Sequence, residues 1–224
     1  MFKHVLLLLA GILAVTGCQA QDAAAPPAAK RQWEAGKDYA VLNPPVPTGS
    51  DKVTVTEVFS YACPHCAHYQ PYADEIKAKL PAGAQFELLP AVFQPAWEPF
   101  ARAFYTAKSL GLLEKTHQAL FDAVHRDHQP LRTIEDLANL FYANYGANPG
   151  AFLSTATSFV IDGEMAKDAQ RVRDYGVEAT PTLIVNGKYR VAMNSERSIG
   201  PAEAIKLTLY LVQQEAQAKG KAGN

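Results

Sequence analysis

The fold is decided by the stretch Val53-Thr-Val-Thr-Glu-Val-Phe59-Ser-Tyr-Ala-Cys63-Pro64-His65-Cys66. Its first seven residues alternate and are rich in β-branched side chains, a pattern that predicts a strand. Pro64 is typical of the first turn of a helix, because the N–H that proline lacks would have no partner there. Apolar side chains then recur at helical spacing as far as Leu80. We therefore expect a strand, a tight turn that carries both cysteines, and a helix that begins in the turn.

Two further blocks follow this unit. Phe86–Val92 predicts a second strand, parallel to the first, and residues 95–175 have an almost wholly helical pattern. The strand pattern then returns in Pro181–Val185, and Asn186-Gly187 directly after it is a strong hairpin signal. A last helix is predicted from Pro201 onward. The order βαβ, helical insertion, ββα predicts an α/β protein with an all-helical segment inserted in the middle.

The helical segment carries its own start signals. Thr133-Ile-Glu-Asp136 resembles a capping box with Asp in place of the usual Glu, and it is predicted to open a regular helix. Asn148-Pro149 is typical of a cap followed by a first-turn proline, and Gly163–Tyr175 predicts a further helix. Three histidines of this segment lie among charged residues and are expected to face solvent: His117, His125 and His128.

Both ends of the chain carry segments outside the folded body. Val5–Val15 is an apolar run of signal-peptide length behind a short basic start, so residues 1–17 are predicted to be a signal peptide. Val15-Thr-Gly-Cys18 resembles the bacterial lipobox, which would make Cys18 a lipid attachment site, although small residues also precede Cys by chance in ordinary signal peptides. Residues 18–32 predict a flexible tether. The body is predicted in three parts followed by a frayed tail: residues 33–94, 95–175, 176–216 and 217–224.

The composition excludes one class of partner and leaves few cysteines to explain. With 224 residues, 48% hydrophobic content and a formal net charge of −1, the chain has ample material for a core. It has no sign of the concentrated basic surface that nucleic-acid binding requires. Once Cys18 is assigned to the signal or the lipid, only Cys63 and Cys66 of the three cysteines remain.

The Cys63-Pro64-His65-Cys66 turn is suited to thiol–disulfide exchange. Cys63 falls at the N-cap of the predicted helix, whose partial positive charge lowers a thiol pKa, and His65 adds a donor or a charge near the same sulfur. Cys66 lies one turn deeper and is less exposed. We expect Cys63 to form the mixed disulfide and Cys66 to resolve it. Because a stabilised thiolate favours the reduced form, this turn indicates an oxidising disulfide.

Other interpretations of the pair are weaker. A structural disulfide would close almost no loop, so it would add little stability. A metal site would need Cys63, His65, Cys66 and His68 to converge, and a helical turn does not aim these four side chains at one tetrahedral centre. Haem attachment is excluded, because Ala67 stands where a histidine is required. No metal or organic cofactor is expected, since the disulfide itself carries the electrons.

Two positions outside the turn are further candidates. Pro181 is either ordinary strand punctuation or, if its peptide bond is cis, a device that turns the Thr180 backbone toward an extended substrate. Glu57 shares its strand face with apolar residues. If that face is partly solvated, Glu57 has no special role. If it is buried, its pKa rises and it handles protons for Cys66.

Together these elements resemble the DsbA family of bacterial periplasmic disulfide oxidases over residues 33–216. Cys63-Pro64-His65-Cys66 corresponds to the active-site tetrapeptide of that family, and Glu57 to its glutamate six residues earlier. Tyr175–Tyr189 is similar to its cis-proline loop and hairpin. The resemblance implies a thioredoxin fold (βαβ–ββα) with an inserted all-helical domain, and a cis peptide bond before Pro181. It also implies a strongly lowered pKa of the first cysteine, for which this family is itself the usual example.

Three positions depart from the family pattern. The best-known members carry a lysine in the strand after the active-site helix, but residues 85–92 contain none. Gln70 replaces a second acidic residue four positions after the second cysteine. These two changes argue against a charged proton-relay network. Thr180 stands where typical oxidases have valine, and threonine there is known in isomerases and reductases of the superfamily.

The resemblance implies a monomeric periplasmic enzyme that introduces disulfide bonds into exported proteins. A membrane quinone-linked disulfide oxidase of the DsbB type would reoxidise it, and no nucleic acid is expected as a partner. Thr180 leaves a disulfide reductase or isomerase as the alternative. A lipid-anchored chaperone or binding protein, in which the disulfide is incidental, is a third interpretation that depends on the predicted anchor and tether.

Overall fold

The computed structural model describes residues 31–222, and a five-stranded mixed sheet forms their centre. The strands are β1 Ala40–Val41, β2 Val53–Phe59, β3 Ala84–Pro90, β4 Thr182–Val185 and β5 Tyr189–Ala192. Their order across the sheet is β1-β5-β4-β2-β3, and only β2 and β3 are parallel. The predicted parallel unit is therefore confirmed. Its second strand ends at Pro90, two residues earlier than predicted, because β2 itself ends at Phe59; the last bond of the ladder runs from the Ala91 N–H to the Phe59 carbonyl at 2.7 Å. Cys18, the predicted signal peptide 1–17 and most of the tether 18–32 lie outside the described residues.

Most of the residues outside the strands form α-helices. They are α1 Pro64–Lys79, α2 Glu98–Ser109, α3 Leu113–His125, α4 Ile134–Asp136, α5 Pro149–Ala156, α6 Phe159–Asp174 and α7 Pro201–Ala222. The segment α2–α6 lies between β3 and β4 in the chain, so the helical insertion stands where the sequence predicts it. No helix within residues 31–222 is both long and apolar enough to span a membrane.

Three of the predicted local signals are present. The Thr133 hydroxyl accepts the Asp136 N–H at 3.1 Å, and the Asp136 carboxylate accepts the Thr133 N–H at 3.0 Å, which forms the capping box. The Asn148 side chain accepts the Ala151 N–H at 2.9 Å. Asn186 and Gly187 have φ angles of 51° and 65°. Both lie in the left-handed region that the two central residues of a type I′ turn require, and the Lys188 N–H closes that turn on the Val185 carbonyl at 3.0 Å. Since Val185 pairs with Tyr189, the connection between the strands contains three residues.

Two helix predictions are wrong in detail. The helix predicted over Gly163–Tyr175 begins at Phe159, because the Ser158 hydroxyl caps it. The chain after Asp136 is not a regular α-helix but a π turn, Leu137–Phe141, followed by a 3₁₀ turn. This change of winding leaves Phe141 and the next residue, Tyr142, both buried.

Both faces of the sheet are covered, so β2 is buried along its whole length. On one face Val55 packs with side chains of α1 and α7, such as Ile76 and Leu207. On the opposite face Val58 packs against Tyr175 at the end of α6. Beyond the end of β2, a third cluster joins Phe59 and both cysteines to aromatic side chains of the helical segment. The cysteines therefore lie where the sheet meets that segment.

The C-terminal helix is longer than the sequence predicts. Because α7 continues to Ala222, the predicted frayed tail 217–224 is wrong for residues 217–222. The Glu215 carboxylate accepts hydrogen bonds from the β4–β5 hairpin, and Lys219 Nζ donates to the Asp51 carbonyl at 2.7 Å. Alanine, glutamine and lysine continue a helix at little cost once a packed portion has nucleated it. The small polar composition of this tail is therefore compatible with a helix.

Candidate active site

Both cysteines lie at the start of α1. Cys63 is the N-cap residue with extended backbone, and Pro64 occupies the first turn. The carbonyl oxygen of Cys63 accepts the N–H groups of Cys66 at 3.1 Å and Ala67 at 3.2 Å. Cys63 keeps 5% of its surface exposed, whereas Cys66 is fully enclosed. Both thiols are free. The helix start thus presents one cysteine to the surface and holds the other behind it.

The pKa of the Cys63 thiol is lowered to about 5. The largest cause is a hydrogen bond from the Cys66 thiol. The Thr180 hydroxyl and the backbone N–H groups of Cys66 and His65 add to it, and together they outweigh burial, which opposes ionisation. Of these donors, the two backbone N–H groups are those that a helix N-terminus supplies. The His65 imidazole itself is exposed and faces the groove described below.

Cys66 has the opposite character. Burial, and the neighbouring Cys63 sulfur, raise the pKa of the Cys66 thiol far above its ordinary value. At neutral pH the pair therefore consists of one thiolate and one thiol. Because only a thiolate attacks a disulfide, Cys66 becomes a nucleophile only when a nearby group accepts its proton.

The loop before β4 faces Cys63 directly. The Thr180–Pro181 peptide bond is cis, as predicted, and the Cys63 thiol donates to the Thr180 carbonyl oxygen at 3.5 Å. The Thr180 Oγ1 is buried and has no hydrogen bond within residues 31–222. It is therefore available to donate to the Cys63 sulfur when that sulfur is ionised.

A groove of about 410 Å³ runs between α1 and the cis-proline loop. Tyr69 and Tyr72 of α1 line one side, with ring centroids 5.7 Å apart, and Pro181 and Met193 line the other. Met193 is an apolar side chain with 36% of its surface exposed. Within the described residues, no group of three or more His, Cys, Asp or Glu side chains converges in a way that would hold a metal ion. The arrangement suits contact with an extended apolar segment.

Glu57 is an acid inside the core. It lies on β2 between Leu88 and Leu183 of the flanking strands and has no exposed surface. Burial raises the pKa of Glu57 to about 8, although Lys77 and a hydrogen bond from Gln70 oppose this. A carboxyl with a pKa near neutral exchanges protons readily at physiological pH. Of the two interpretations of Glu57, the structure supports the one in which its side chain is buried.

His117 corrects a sequence prediction. It was expected to face solvent, but only 9% of its surface is exposed, and burial lowers its pKa to about 4. Its Nδ1 lies 2.8 Å from the Tyr61 hydroxyl and its Nε2 3.0 Å from the Gln70 side-chain oxygen. The signal was present in the sequence, because His117 falls on the apolar stripe of α3 between Leu113 and Leu120.

The other two histidines of the helical segment differ in their burial. His125 is partly buried, and its Nε2 lies 2.7 Å from the Tyr61 carbonyl oxygen, so the solvent-facing prediction is wrong for it as well. His128 is exposed, as predicted.

Gln70 is a site residue that the sequence indicated only as a departure from the family pattern. It is 2% exposed and contacts both Cys66 and Glu57. Its spacing from Cys63 and Cys66, seven and four residues, placed it on their helix face.

Comparison with known proteins agrees with this geometry. Residues 49–199 match the profile of the family described as Thioredoxin. The thiol:disulfide interchange protein DsbA of Pseudomonas aeruginosa is 40% identical over 190 residues, which cover 84% of this chain and 89% of that protein. The DsbA of Azotobacter vinelandii is 34% identical over 214 residues, covering 95% and 99% of the two chains.

Solved structures give the same result. The crystal structure of Pseudomonas aeruginosa DsbA has a TM-score of 0.76 at 40% identity, covering 83% of this chain and 96% of that one. The oxidoreductase DsbA from Xylella fastidiosa has a TM-score of 0.75 at 32% identity, covering 81% and 97%. The prediction of a thioredoxin fold with an inserted helical segment is confirmed. Since this likeness covers most of both chains in sequence and in structure, the chain belongs to the DsbA family of thiol:disulfide interchange proteins.

Proposed function

We propose that this thiol:disulfide oxidoreductase introduces disulfide bonds into exported proteins in the periplasm, through the Cys63–Cys66 disulfide. The observation that carries the proposal is the contrast between the two thiols. The pKa of Cys63 is lowered to about 5, whereas Cys66 is enclosed and its pKa is raised. Stabilising the Cys63 thiolate favours the reduced form, so the disulfide gives up its oxidising equivalent readily, an effect for which this family is the usual example.

The reaction proceeds in two exchanges. A substrate thiolate attacks the Cys63 sulfur, a substrate–Cys63 disulfide forms, and the Cys63–Cys66 bond breaks with Cys66 leaving as a thiolate that takes up a proton. A second substrate thiolate then attacks the substrate sulfur of the mixed disulfide, and Cys63 leaves as a thiolate. Two electrons pass from the substrate to the cysteine pair. Of the two substrate protons, one remains on Cys66 and one reaches solvent.

Glu57 is the proposed proton carrier for Cys66. Its position beneath the first turn of α1 is supported by Gln70, which donates both to the Cys66 carbonyl and to Glu57. A pKa of about 8 lets Glu57 give a proton to the departing Cys66 thiolate and take one back during reoxidation.

The other proposed site residues bind the substrate or position the cysteines. His65 and Pro181 line the groove, and the Thr180 backbone pairs with an extended substrate segment. Pro64 begins the helix that carries both cysteines.

A reductase or isomerase is the second candidate, and Thr180 favours it. The Thr180 side chain favours ionisation of both thiols, so it affects how the two sulfurs share the charge. The two candidates differ in one measurable quantity, the potential of the cysteine pair. In the chaperone interpretation, a Cys63→Ala variant would keep full activity in refolding assays, which both enzyme candidates forbid.

The test is the redox equilibrium of the pair against glutathione, with the thiolate absorbance of Cys63 titrated in parallel. We expect a strongly oxidising potential and a Cys63 midpoint near 5. Cys63→Ser serves as the control, because it removes the titrating sulfur and leaves Cys66. A reducing potential together with a midpoint near the ordinary value of 9.0 would refute the oxidase and select the reductase or isomerase.

We further propose that residues 1–17 direct export, that Cys18 carries the lipid, and that a quinone-linked membrane oxidase of the DsbB type reoxidises the protein. The support is the apolar run before Cys18 and the Ala- and Pro-rich tether after it. Mass spectrometry of the membrane fraction tests the lipid, with Cys18→Ala as the control. A mature protein without the lipid mass, found only in the soluble periplasmic fraction, would reject the anchor and leave the enzyme untouched.

A further inference from the structure

A chain of buried polar side chains lies behind Cys66, between α1 and α3. The Gln70 side-chain nitrogen donates to the Cys66 carbonyl at 3.2 Å and to Glu57 Oε1 at 3.4 Å. The Gln70 side-chain oxygen lies 3.0 Å from His117 Nε2. His117 Nδ1 in turn lies 2.8 Å from the Tyr61 hydroxyl. None of these side chains has more than 9% of its surface exposed.

The direction of each hydrogen bond in this chain is determined. The Cys66 carbonyl only accepts, so the nitrogen of the Gln70 amide must point toward it and toward Glu57. The amide oxygen then points toward His117. Because an amide oxygen only accepts, His117 must carry its hydrogen on Nε2, and Nδ1 accepts from the Tyr61 hydroxyl. A neutral His117 satisfies every one of these bonds, which agrees with the lowered pKa of its imidazole.

The geometry points to His117 as a positioning residue that, through its Nε2–H, holds the Gln70 amide in the one orientation that donates to Glu57. This inference deepens the proposed function, because it depends on Glu57 being the proton carrier for Cys66. Gln70 touches Glu57 directly, and His117 acts only through Gln70. The pair supports Glu57 with neutral groups, since neither side chain carries a charge.

The hydrogen bond from Gln70 differs in kind from the charges that affect the pKa of Glu57. The charged or titratable groups that act on it from the neighbouring elements are Lys77, Asp74, Cys63, Tyr61 and Tyr69. Of these, Lys77 and Asp74 are on the far part of α1 and form an ion pair with each other at 2.9 Å. Among these contacts Glu57 Oε1 accepts only from Gln70, while Oε2 is buried with no partner within residues 31–222. The Gln70 amide therefore supplies the hydrogen bond that an ionised Glu57 depends on.

A cleft of about 460 Å³ reaches the same two residues from the surface. Gln70 and His117 line its inner end, and Lys77, Lys108 and Glu114 line it farther out. A polar cleft of this size has room for water beside these two residues. Because Gln70 and His117 both line this cleft, an apolar ring at position 117 is needed to keep water from taking the place of the lost N–H.

His117→Phe is the test, because the phenyl ring fills the space but offers no N–H. Without that donor the Gln70 oxygen is left unpaired, or the amide turns over and presents its oxygen to Glu57. The first change leaves the donation to Glu57 in place but frees the amide to turn. The second change favours the protonated carboxyl, since an ionised Glu57 then loses its donor and faces an acceptor. The readout is the titration of the Glu57 carboxyl carbon by ¹³C NMR in the reduced protein, assigned by its loss in Glu57→Gln.

We expect a wild-type midpoint near 8 and an upward shift of about one pH unit in His117→Phe. His117→Gln places an N–H near the same point and should restore the wild-type midpoint. Thr116→Val, at a fully buried neighbour on α3 whose hydroxyl donates to the Leu112 and Leu113 carbonyls, should leave the midpoint unchanged. It controls for loosened packing of α3.

Two results would overturn the inference. One is an unchanged Glu57 midpoint in His117→Phe; the other is the same shift in His117→Phe and His117→Gln, which would assign the effect to packing. If His117→Phe does not fold, Gln70→Met removes the donor itself, and an unchanged midpoint there overturns the inference equally. The glutathione equilibrium of the wild-type protein is measured separately. Its failure would reject the oxidase while leaving the control of Glu57 by His117 standing.

Discussion

Replacing Glu57 by Gln is expected to stabilise the protein at neutral pH and to leave its stability unchanged in acid. The carboxyl has an ordinary pKa of 4.5 in an unfolded chain and a pKa of about 8 in the fold, where it has no exposed surface. A group whose folded pKa is raised contributes most below its unfolded pKa, and the fold loses that contribution as pH rises. The window is therefore pH 4.5 to about 8. Glutamine resembles the protonated acid and loses nothing across it.

The magnitude follows from the separation of the two pKa values. Each pH unit above 4.5 costs the wild-type fold about 1.4 kcal/mol until Glu57 ionises in the folded state as well. At pH 7 the wild-type protein should therefore be less stable than Glu57→Gln by roughly 3 kcal/mol, and above pH 8 by roughly 5 kcal/mol. At pH 4.5 the difference should vanish. These values are large compared with the total stability of an ordinary domain.

The assay is urea denaturation of the reduced protein across this pH range, for the wild type and Glu57→Gln in parallel. Glu215→Gln is the matched control, because Glu215 is also a buried glutamate, with 4% of its surface exposed. Burial opposes its ionisation, but hydrogen bonds from Lys188, Asn186 and Tyr189 outweigh burial and lower its pKa. Its variant should therefore be destabilised at neutral pH and lose that effect in acid, the opposite slope. A constant difference in unfolding free energy between Glu57→Gln and the wild type at every pH would show that the pKa of Glu57 is not raised by folding.

Two further predictions concern the thiol pair, and a third concerns an ion pair between β3 and α6. Thr180→Val removes a donor to the Cys63 sulfur and should raise the midpoint of its thiolate absorbance by up to about one pH unit, and an unmoved midpoint would exclude this role for Thr180. The lowered pKa of Cys63 stabilises the reduced fold above pH 9.0, and that stability is lost as pH falls through about 5. Melting temperatures of the reduced and oxidised forms should therefore converge on acidification, and a gap independent of pH would contradict this. Arg171 binds Glu87 through two hydrogen bonds at 2.8 and 2.7 Å with 15% of its side chain exposed, so Arg171→Met should cost about 2–3 kcal/mol in urea denaturation. Arg126→Met, whose ion pairs are at the surface, should cause no measurable loss, and equal losses in the two variants would reject the distinction.

The proton chemistry shows where sequence reasoning ends. Gln70 stands in the sequence only as the absence of an acid, and His117 as one histidine among charged neighbours. Their partnership is a contact between side chains 47 residues apart on two helices. The burial of Glu57 likewise depends on helices covering both faces of β2, whereas an alternating strand is equally compatible with a solvated face. The apolar spacing around His117 on α3 was the available signal, and local charge obscured it.

Elements whose geometry is local could be predicted from the amino-acid sequence. The strand before the turn, the proline-initiated helix, the capping box at Thr133 and the Asn186-Gly187 hairpin each depend on residues within a few positions of one another. The two cysteines belong to this group, because a helix start places Cys63 at the N-cap, where 5% of its surface stays exposed, and Cys66 one turn deeper, where none does. The polar groups that surround the two cysteines come from distant parts of the chain, so the sequence did not reveal them. The pKa values of Cys66, Glu57 and His117 depend on how completely distant elements exclude water, and that exclusion exists only once the sheet and the helical segment have packed together.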